Sequence, residues 1–148
     1  MIEQGLPLAL ALMRRFEGFY ARPYLCPAGV PTIGFGNTYY EDGSLVTLSD
    51  PPITRNRAEA LLLWTVANVY LPQAIKLCPG VDAPERLAAI LDFTYNLGGT
   101  ALKNSTLRRK VNAGDWDAVP AEFMKWVRVG SKTLPGLVRR RKAEAALI

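Results

Sequence analysis

The chain has 148 residues, 49% of them hydrophobic and 21% charged, with a formal net charge of +5 and a pI near 9.4. It is long enough to bury a core as one unit, and no run approaches the ~20 apolar residues of a bilayer span. It contains no histidine. That excludes Ser-His-Asp hydrolases, Cys-His proteases and His-ligated zinc amidases, and two cysteines without histidine make no metal site, so any catalysis rests on carboxylates, a thiol, hydroxyls, Lys or Arg.

The first fifteen residues hold a short apolar run with no basic segment before it and no small-residue cleavage site after it. They read as a helix rather than an export signal. That helix is expected from about Pro7 to Glu17, with Leu8, Leu12 and Phe16 in one row and Gly18 as its stop. From Gly18 to about Pro52, Gly, Pro, Thr and aromatic residues dominate and helix is not expected. Val30 to Tyr39 reads as a strand, with a turn at Glu41–Ser44 and a return strand at Leu45–Thr47, forming a small antiparallel sheet.

Thr54 is placed to cap a long helix over 58–70, which Pro72 kinks or ends. Asp82 to Glu85 resembles a capping box opening a buried helix through Asn96, stopped by Gly98-Gly99. Shorter helices are expected at Ser105–Ala113 and Trp116–Val127, and Pro135 opens a last one. No repeat, linker or low-complexity segment interrupts the chain. The class is α+β.

The positive charge suits an anionic polymer. Its densest cluster, Arg139-Arg140-Arg141-Lys142, reads mainly as a solvated helix face, with room for one Arg to face a site.

Three residues carry candidate chemistry. Eight residues separate Glu17 from Cys26, and five separate Cys26 from Thr32. Glu17 ends a helix, where the dipole disfavours its charge, and Phe16, Phe19 and Tyr20 can exclude water. Both effects favour a proton-bearing general acid, against the plainer role of a helix-terminal Glu paired with an Arg. On a strand, Thr32 shares a face with Gly34 and Gly36, which leaves room for a ligand, while Ile33 and Phe35 turn to the core. Cys26 reads either as a thiolate tuned by a nearby cation or as a buried structural residue, and a disulfide with Cys78 is not expected.

The run from Glu17 to Thr32 resembles the catalytic signature of phage-type lysozymes, the muramidases of glycoside hydrolase family 24. Their middle position is usually Asp and sometimes Cys. Further blocks in the same order resemble that family: Arg15–Phe19, Pro27–Gly36, Tyr95–Gly98, Ser105–Gly114 and Leu134–Arg140. The resemblance implies a lysozyme-like fold, with a small antiparallel sheet lobe (about 18–53) and a larger helical lobe (about 54–148 plus the first helix) flanking a substrate cleft, in a single domain over 1–148.

By position, the resemblance makes Glu17 the acid, Cys26 the stand-in for the usual Asp and Thr32 the holder of the attacking water, with inversion at the anomeric carbon. It places Thr38, Tyr95, Asn96 and Ser105 on the glycan. Asn37 stands where many relatives have His, so a neutral hydrogen bond is expected there. The implied function is hydrolysis of the β-1,4 bond between N-acetylmuramic acid and N-acetylglucosamine in peptidoglycan by a monomeric phage endolysin. No cofactor, metal, nucleic acid or stable membrane insertion is implied. The enzyme is expected to wait in the host cytoplasm until a holin-type pore opens. The alternatives are a lytic transglycosylase, which Thr32 argues against, and a non-catalytic glycan-binding virion protein.

Overall fold

A computed structural model describes all residues, 1–148. Its first helix, α1, spans Ile2–Glu17 and so starts earlier than Pro7. Pro7 sits about one turn in, where its missing N–H forfeits only a bond to the carbonyl of exposed Glu3. The buried row is Gly5, Ala9 and Met13 rather than Leu8, Leu12 and Phe16, and Leu8 is exposed. Gly5 sets how closely α1 packs on the later helix. A Cβ there would lie 2.9 Å from the Pro84 carbonyl oxygen and 3.0 Å from Leu87 Cδ2.

The sheet pairs β1 (Tyr20–Leu25) antiparallel with β2 (Pro31–Gly34). The expected strand to Tyr39 is cut short because Gly34 and Gly36 take φ of 66° and 88°, turning the chain. The return segment reaches it only through an isolated bridge, Tyr39 to Leu45. The true partner, β1, carries Pro23 and a register shift between Tyr20 and Tyr24, both devices of an irregular edge strand.

Thr54 caps α2 (Arg55–Thr65) as expected, its hydroxyl accepting from the Arg57 N–H at 3.1 Å. The helix does not break at Pro72. A π-helical turn, Val66–Tyr70, leads into α3 (Leu71–Leu77), with the Leu71 N–H donating to Val66 O. That wider turn takes up the site where Pro72 has no N–H to offer. The whole run Arg55–Leu77 is long and apolar enough by length and composition to cross a membrane. Here it lies against the core through Leu61, Leu62, Val66, Leu71 and Ala74.

The central helix, α4 (Pro84–Leu97), is buried continuously from Leu87 to Thr94. Its cap is Ala83 with Pro84 in the first turn, not the expected capping box, because Asp82 instead pairs with Arg86 at 2.8 Å. Gly98, at φ 92°, stops it, and a short α5 (Gly99–Lys103) follows directly. After α6 (Thr106–Asn112), α7 covers only Val119–Phe123. The rest of the expected helix, 116–118 and 124–127, is turn and irregular chain, and beyond it comes a hairpin, β3 (Arg128–Val129) and β4 (Lys132–Thr133), turning at Gly130 with φ 59°. α8 runs from Pro135 to Ala145. A core of 21 buried residues unites the helices, while Ile33, Val46 and Leu61 pin the sheet lobe to α2.

Charges penetrate this core. Arg140 of α8 donates through Nε and Nη2 to Asp92 of α4, both at 2.8 Å, and the two side chains are 4% and 0% exposed. Beside them Arg141 and Glu144 are fully buried together. Their Nε and Oε2 lie 2.7 Å apart without hydrogen-bond alignment, while Arg141 Nη2 donates to Glu144 Oε1 at 2.7 Å. Burial, with Asp92 alongside, pushes the Glu144 carboxyl up to about 10.

Removing one member of a buried pair leaves an uncompensated charge in the core. Asp92→Ala is expected to lower the unfolding free energy by about 3–5 kcal/mol. Asp115→Ala, which breaks an exposed pair with Lys110, is expected to cost less than about 1 kcal/mol. Urea titrations of the two variants check the contrast.

Candidate active site

A cleft of about 950 Å³ separates the sheet lobe from the helices. Its walls are the end of α1, the β1–β2 hairpin, the end of α4, β3 and the start of α8. Glu17, Cys26 and Thr32 all line it. The sequence spacing therefore brings its three candidates to one place.

Glu17 is the last residue of α1, and the chain leaves the helix at Gly18 with φ 70°. Its side chain is 18% exposed, and Oε1 accepts a hydrogen bond from Arg140 Nη1 at 3.0 Å. The guanidinium that grips Asp92 thus also fixes Glu17. Burial works against the charge of Arg140, but bonding and attraction to Asp92, and then to Glu17, outweigh it and hold it firmly charged. The acid and the Arg pairing, alternatives in sequence, coexist in the fold.

The other side of the carboxylate rests on Gly36, where a Cβ would come within 2.8 Å of both Glu17 Cδ and Oε2. The Phe16 ring lies beneath two guanidiniums, with Arg15 Cζ 4.8 Å and Arg140 Cζ 5.7 Å from its centroid.

Cys26 and Thr32 flank the β1–β2 turn. The Cys26 N–H donates to Val30 O at 3.0 Å, and the Gly29 N–H donates back to Cys26 O at 2.8 Å. Burial acts upward on the Cys26 thiol. Hydrogen bonding from the backbone of Val30 and Ala28, the Thr32 hydroxyl and the Gly29 backbone carries it, on balance, below the ordinary thiol value. The Thr32 hydroxyl has one proton, which serves either Val30 O at 2.8 Å or the Cys26 sulfur. Cys78 is the opposite case: burial, against the opposing charge of Arg108, pushes its thiol up to about 11. Both cysteines are free, so no disulfide joins them.

Aromatic residues complete the wall. Tyr20 and Tyr24 stack with centroids 4.2 Å apart. Burial, and then the proximity of Glu17, Tyr20 and Cys26, push Tyr24 up to about 12.

Of the four expected glycan contacts, Thr38, Tyr95 and Asn96 line the cleft and Ser105 does not. Ser105 is a helix cap. Its buried hydroxyl accepts from the Arg108 N–H at 3.0 Å and donates to Leu102 O at 2.7 Å. The Tyr95 hydroxyl is committed to Phe35 O at 2.6 Å, so only its ring is offered to the cleft. Asn96 Oδ1 accepts from Arg141 Nη2 at 2.9 Å. Asn37 makes a neutral bond, Nδ2 to Thr65 Oγ1 at 3.0 Å, tying the turn after β2 to α2.

A second depression, over Tyr40, Asp50 and Arg57, holds charges that satisfy one another. Arg57 donates twice to Glu41 at 2.7 Å, and Asp50 accepts from Tyr40 and Thr47. It has no free group for chemistry.

Sequence reasoning missed Asp92 and the cradling role of Gly36. Arg140 was visible only as one member of an arginine run with room to face a site.

The family model described as phage lysozyme matches residues 14–144. An endolysin of Acyrthosiphon pisum secondary endosymbiont phage 1 is 39% identical over 144 residues, 93% of this chain and 92% of that protein. A SAR-endolysin of Enterobacteria phage P21 is 35% identical over 132 residues, 86% of this chain and 74% of that one. Among solved structures, an endolysin from Escherichia coli O157:H7 phage FAHEc1 superposes with a TM-score of 0.83 at 30% identity, covering 95% of this chain and 89% of that one.

Gly36→Ala drives a methyl group into Glu17 and strains a backbone at positive φ. A displacement of about 1 Å in a reacting group costs on the order of 100-fold in rate. Turnover of cell-wall substrate by the folded variant, judged by its circular dichroism, is expected to fall by about that factor.

Proposed function

The chain belongs to the phage lysozyme family, and we propose that Glu17, Cys26 and Thr32 are the groups with which it hydrolyses the bond between N-acetylmuramic acid and N-acetylglucosamine. It is a phage endolysin, a glycoside hydrolase that cleaves the peptidoglycan of the bacterial cell wall. The observation that carries the assignment of residues is the meeting of one carboxyl, one thiol and one hydroxyl in the cleft between the lobes.

In this reading Glu17 delivers a proton to the glycosidic oxygen. A guanidinium offers only donors, so Oε1, held by Arg140, can only accept. The transferable proton therefore rides on Oε2, the oxygen above Gly36. Thr32 holds the attacking water on the opposite face of the sugar. Cys26, its thiol carried below the ordinary value, stabilises the positive charge that builds on the ring as the bond breaks. Attack from the far face inverts the anomeric carbon. Thr38, Asn96 and the ring of Tyr95 contact the glycan.

Action as a monomer, through a single catalytic domain over 1–148, is part of this reading. Storage in the host cytoplasm and release through a holin-type pore belong to the same proposal.

Glu17→Gln preserves shape and removes the acid. Lysis of chloroform-treated Gram-negative cells is expected to fall at least ~100-fold. The wild-type products are expected to carry free reducing ends, with the inverted anomer seen first by proton NMR. A 1,6-anhydro product identifies a transglycosylase instead.

For Cys26, replacement by Asp is expected to retain activity, since Asp is ionised at neutral pH. Cys26→Ser is expected to lose most of it. Alkylation is expected to inactivate wild type and spare Cys26→Asp, because Cys78 is buried. A serine variant as fast as wild type removes Cys26 from the chemistry.

A further inference from the structure

The last turn of α4 delivers one amide to the cleft and grips it from behind. Asn96 lines the cleft, and its Oδ1 accepts from Arg141 Nη2 at 2.9 Å. Its Nδ2 finds no acceptor in the protein and remains open to solvent. A side-chain amide can turn over, exchanging oxygen for nitrogen with almost no change of shape. Here that exchange is forbidden. A guanidinium has donors only, so the carbonyl must face Arg141 and the NH2 group is left for the cleft.

Arg141 is itself held on two sides. Its Nη2 also donates to Glu144 Oε1 at 2.7 Å, one turn along α8, and both side chains are fully buried. Its Cζ lies 5.2 Å from the centroid of Phe93, which precedes Asn96 by three residues and shares its face of α4. A buried ion pair serves a core no better than apolar residues of similar volume. Apolar residues cannot, however, hold an amide in one orientation.

Resting on the endolysin reading above, we infer that Arg141 is a positioning residue, locking the Asn96 amide so that the cleft offers N–H donors, and no acceptor, to an acceptor oxygen of the glycan. The acetamido carbonyls of the polymer are oxygens of that kind. An unlocked amide spends part of its time presenting oxygen to oxygen, and binding must then select the other orientation. The fold makes that selection beforehand. The benefit falls on substrate affinity, because Glu17, Cys26 and Thr32 serve the reacting bond.

The test is a double-mutant cycle read by reducing-end release from soluble glycan strands. Arg141→Met/Glu144→Leu removes both members of the pair and leaves no buried charge unpaired. It is made in wild type and in Asn96→Ala. Asn96→Ala is expected to raise KM about fivefold, the worth of one neutral hydrogen bond, with kcat within about twofold of wild type. The pair variant is expected to raise KM by part of that factor. In the Asn96→Ala background it is expected to change KM no further, since a residue that acts through Asn96 has nothing left to act on. Asn96→Asp still accepts from Arg141 but turns an acceptor toward the cleft, so it is expected to raise KM more than Asn96→Ala does.

Thermal midpoints show which variants fold, and Arg141→Lys takes the place of a pair variant that does not, its change in KM expected to vanish in the Asn96→Ala background. The inference is overturned if the pair variant or its substitute raises KM as much without Asn96 as with it, which marks a general role in the core. It is overturned equally if KM stays at the wild-type value in Asn96→Ala or in Asn96→Asp, or if kcat falls in place of KM. A wild-type protein that releases no reducing ends overturns the endolysin chemistry itself.

Discussion

One guanidinium organises this molecule. Arg140 reaches from α8 to Asp92 in the middle of α4 and to Glu17 at the end of α1. Three helices that meet through apolar packing alone could slide or rotate by fractions of an ångström at small cost. A charged fork satisfied on two sides inside the core cannot, because each displaced donor becomes a buried, unpaired charge. The register of the helical lobe and the position of the proposed acid are thus set by the same contact. Fold and function share one constraint.

The two sides of the cleft are built to different standards. Glu17 stands on a long helix backed by a buried ionic network. Cys26 and Thr32 stand on a two-stranded sheet held by a small cluster, Ile33, Val46 and Leu61, and by the Asn37–Thr65 bond to α2. The precise element carries the group proposed to hand over a proton. The lighter element carries the groups proposed to meet water and charge. Gly36 couples the two, since the sheet lobe can approach the acid only where a side chain is missing.

What sequence reveals here follows the range of the interactions. Thr54 as a cap, Gly18 and Gly98 as stops and the helical lobe as a whole rest on local rules and were legible. So was the spacing of Glu17, Cys26 and Thr32, because a helix end and a hairpin turn lie within one stretch of chain. Local rules failed where a long-range partner decided the outcome. The sheet closed with β1, upstream, rather than the segment at Leu45, because Gly34 and Gly36 turned β2 back on itself. Pro72 did not end its helix because a π-helical turn made room for it. Asp92 looked like any polar residue in an apolar helix, and only Arg140, far along the chain, gives it meaning. Ser105 had the right residue type for a glycan contact, but its hydroxyl was already spoken for by a helix end.

The bond between Glu17 and Arg140 spans 123 positions of sequence. During synthesis the acid emerges long before its partner. Until α8 docks, Glu17 has no cation to orient it, Asp92 has no counter-charge in the core, and one wall of the cleft is missing. A contact of such sequence separation forms only after the entropy of closing the intervening chain has been met. The docking of α8 against α1 and α4 therefore orients the proposed acid, neutralises Asp92 and completes the cleft in a single event.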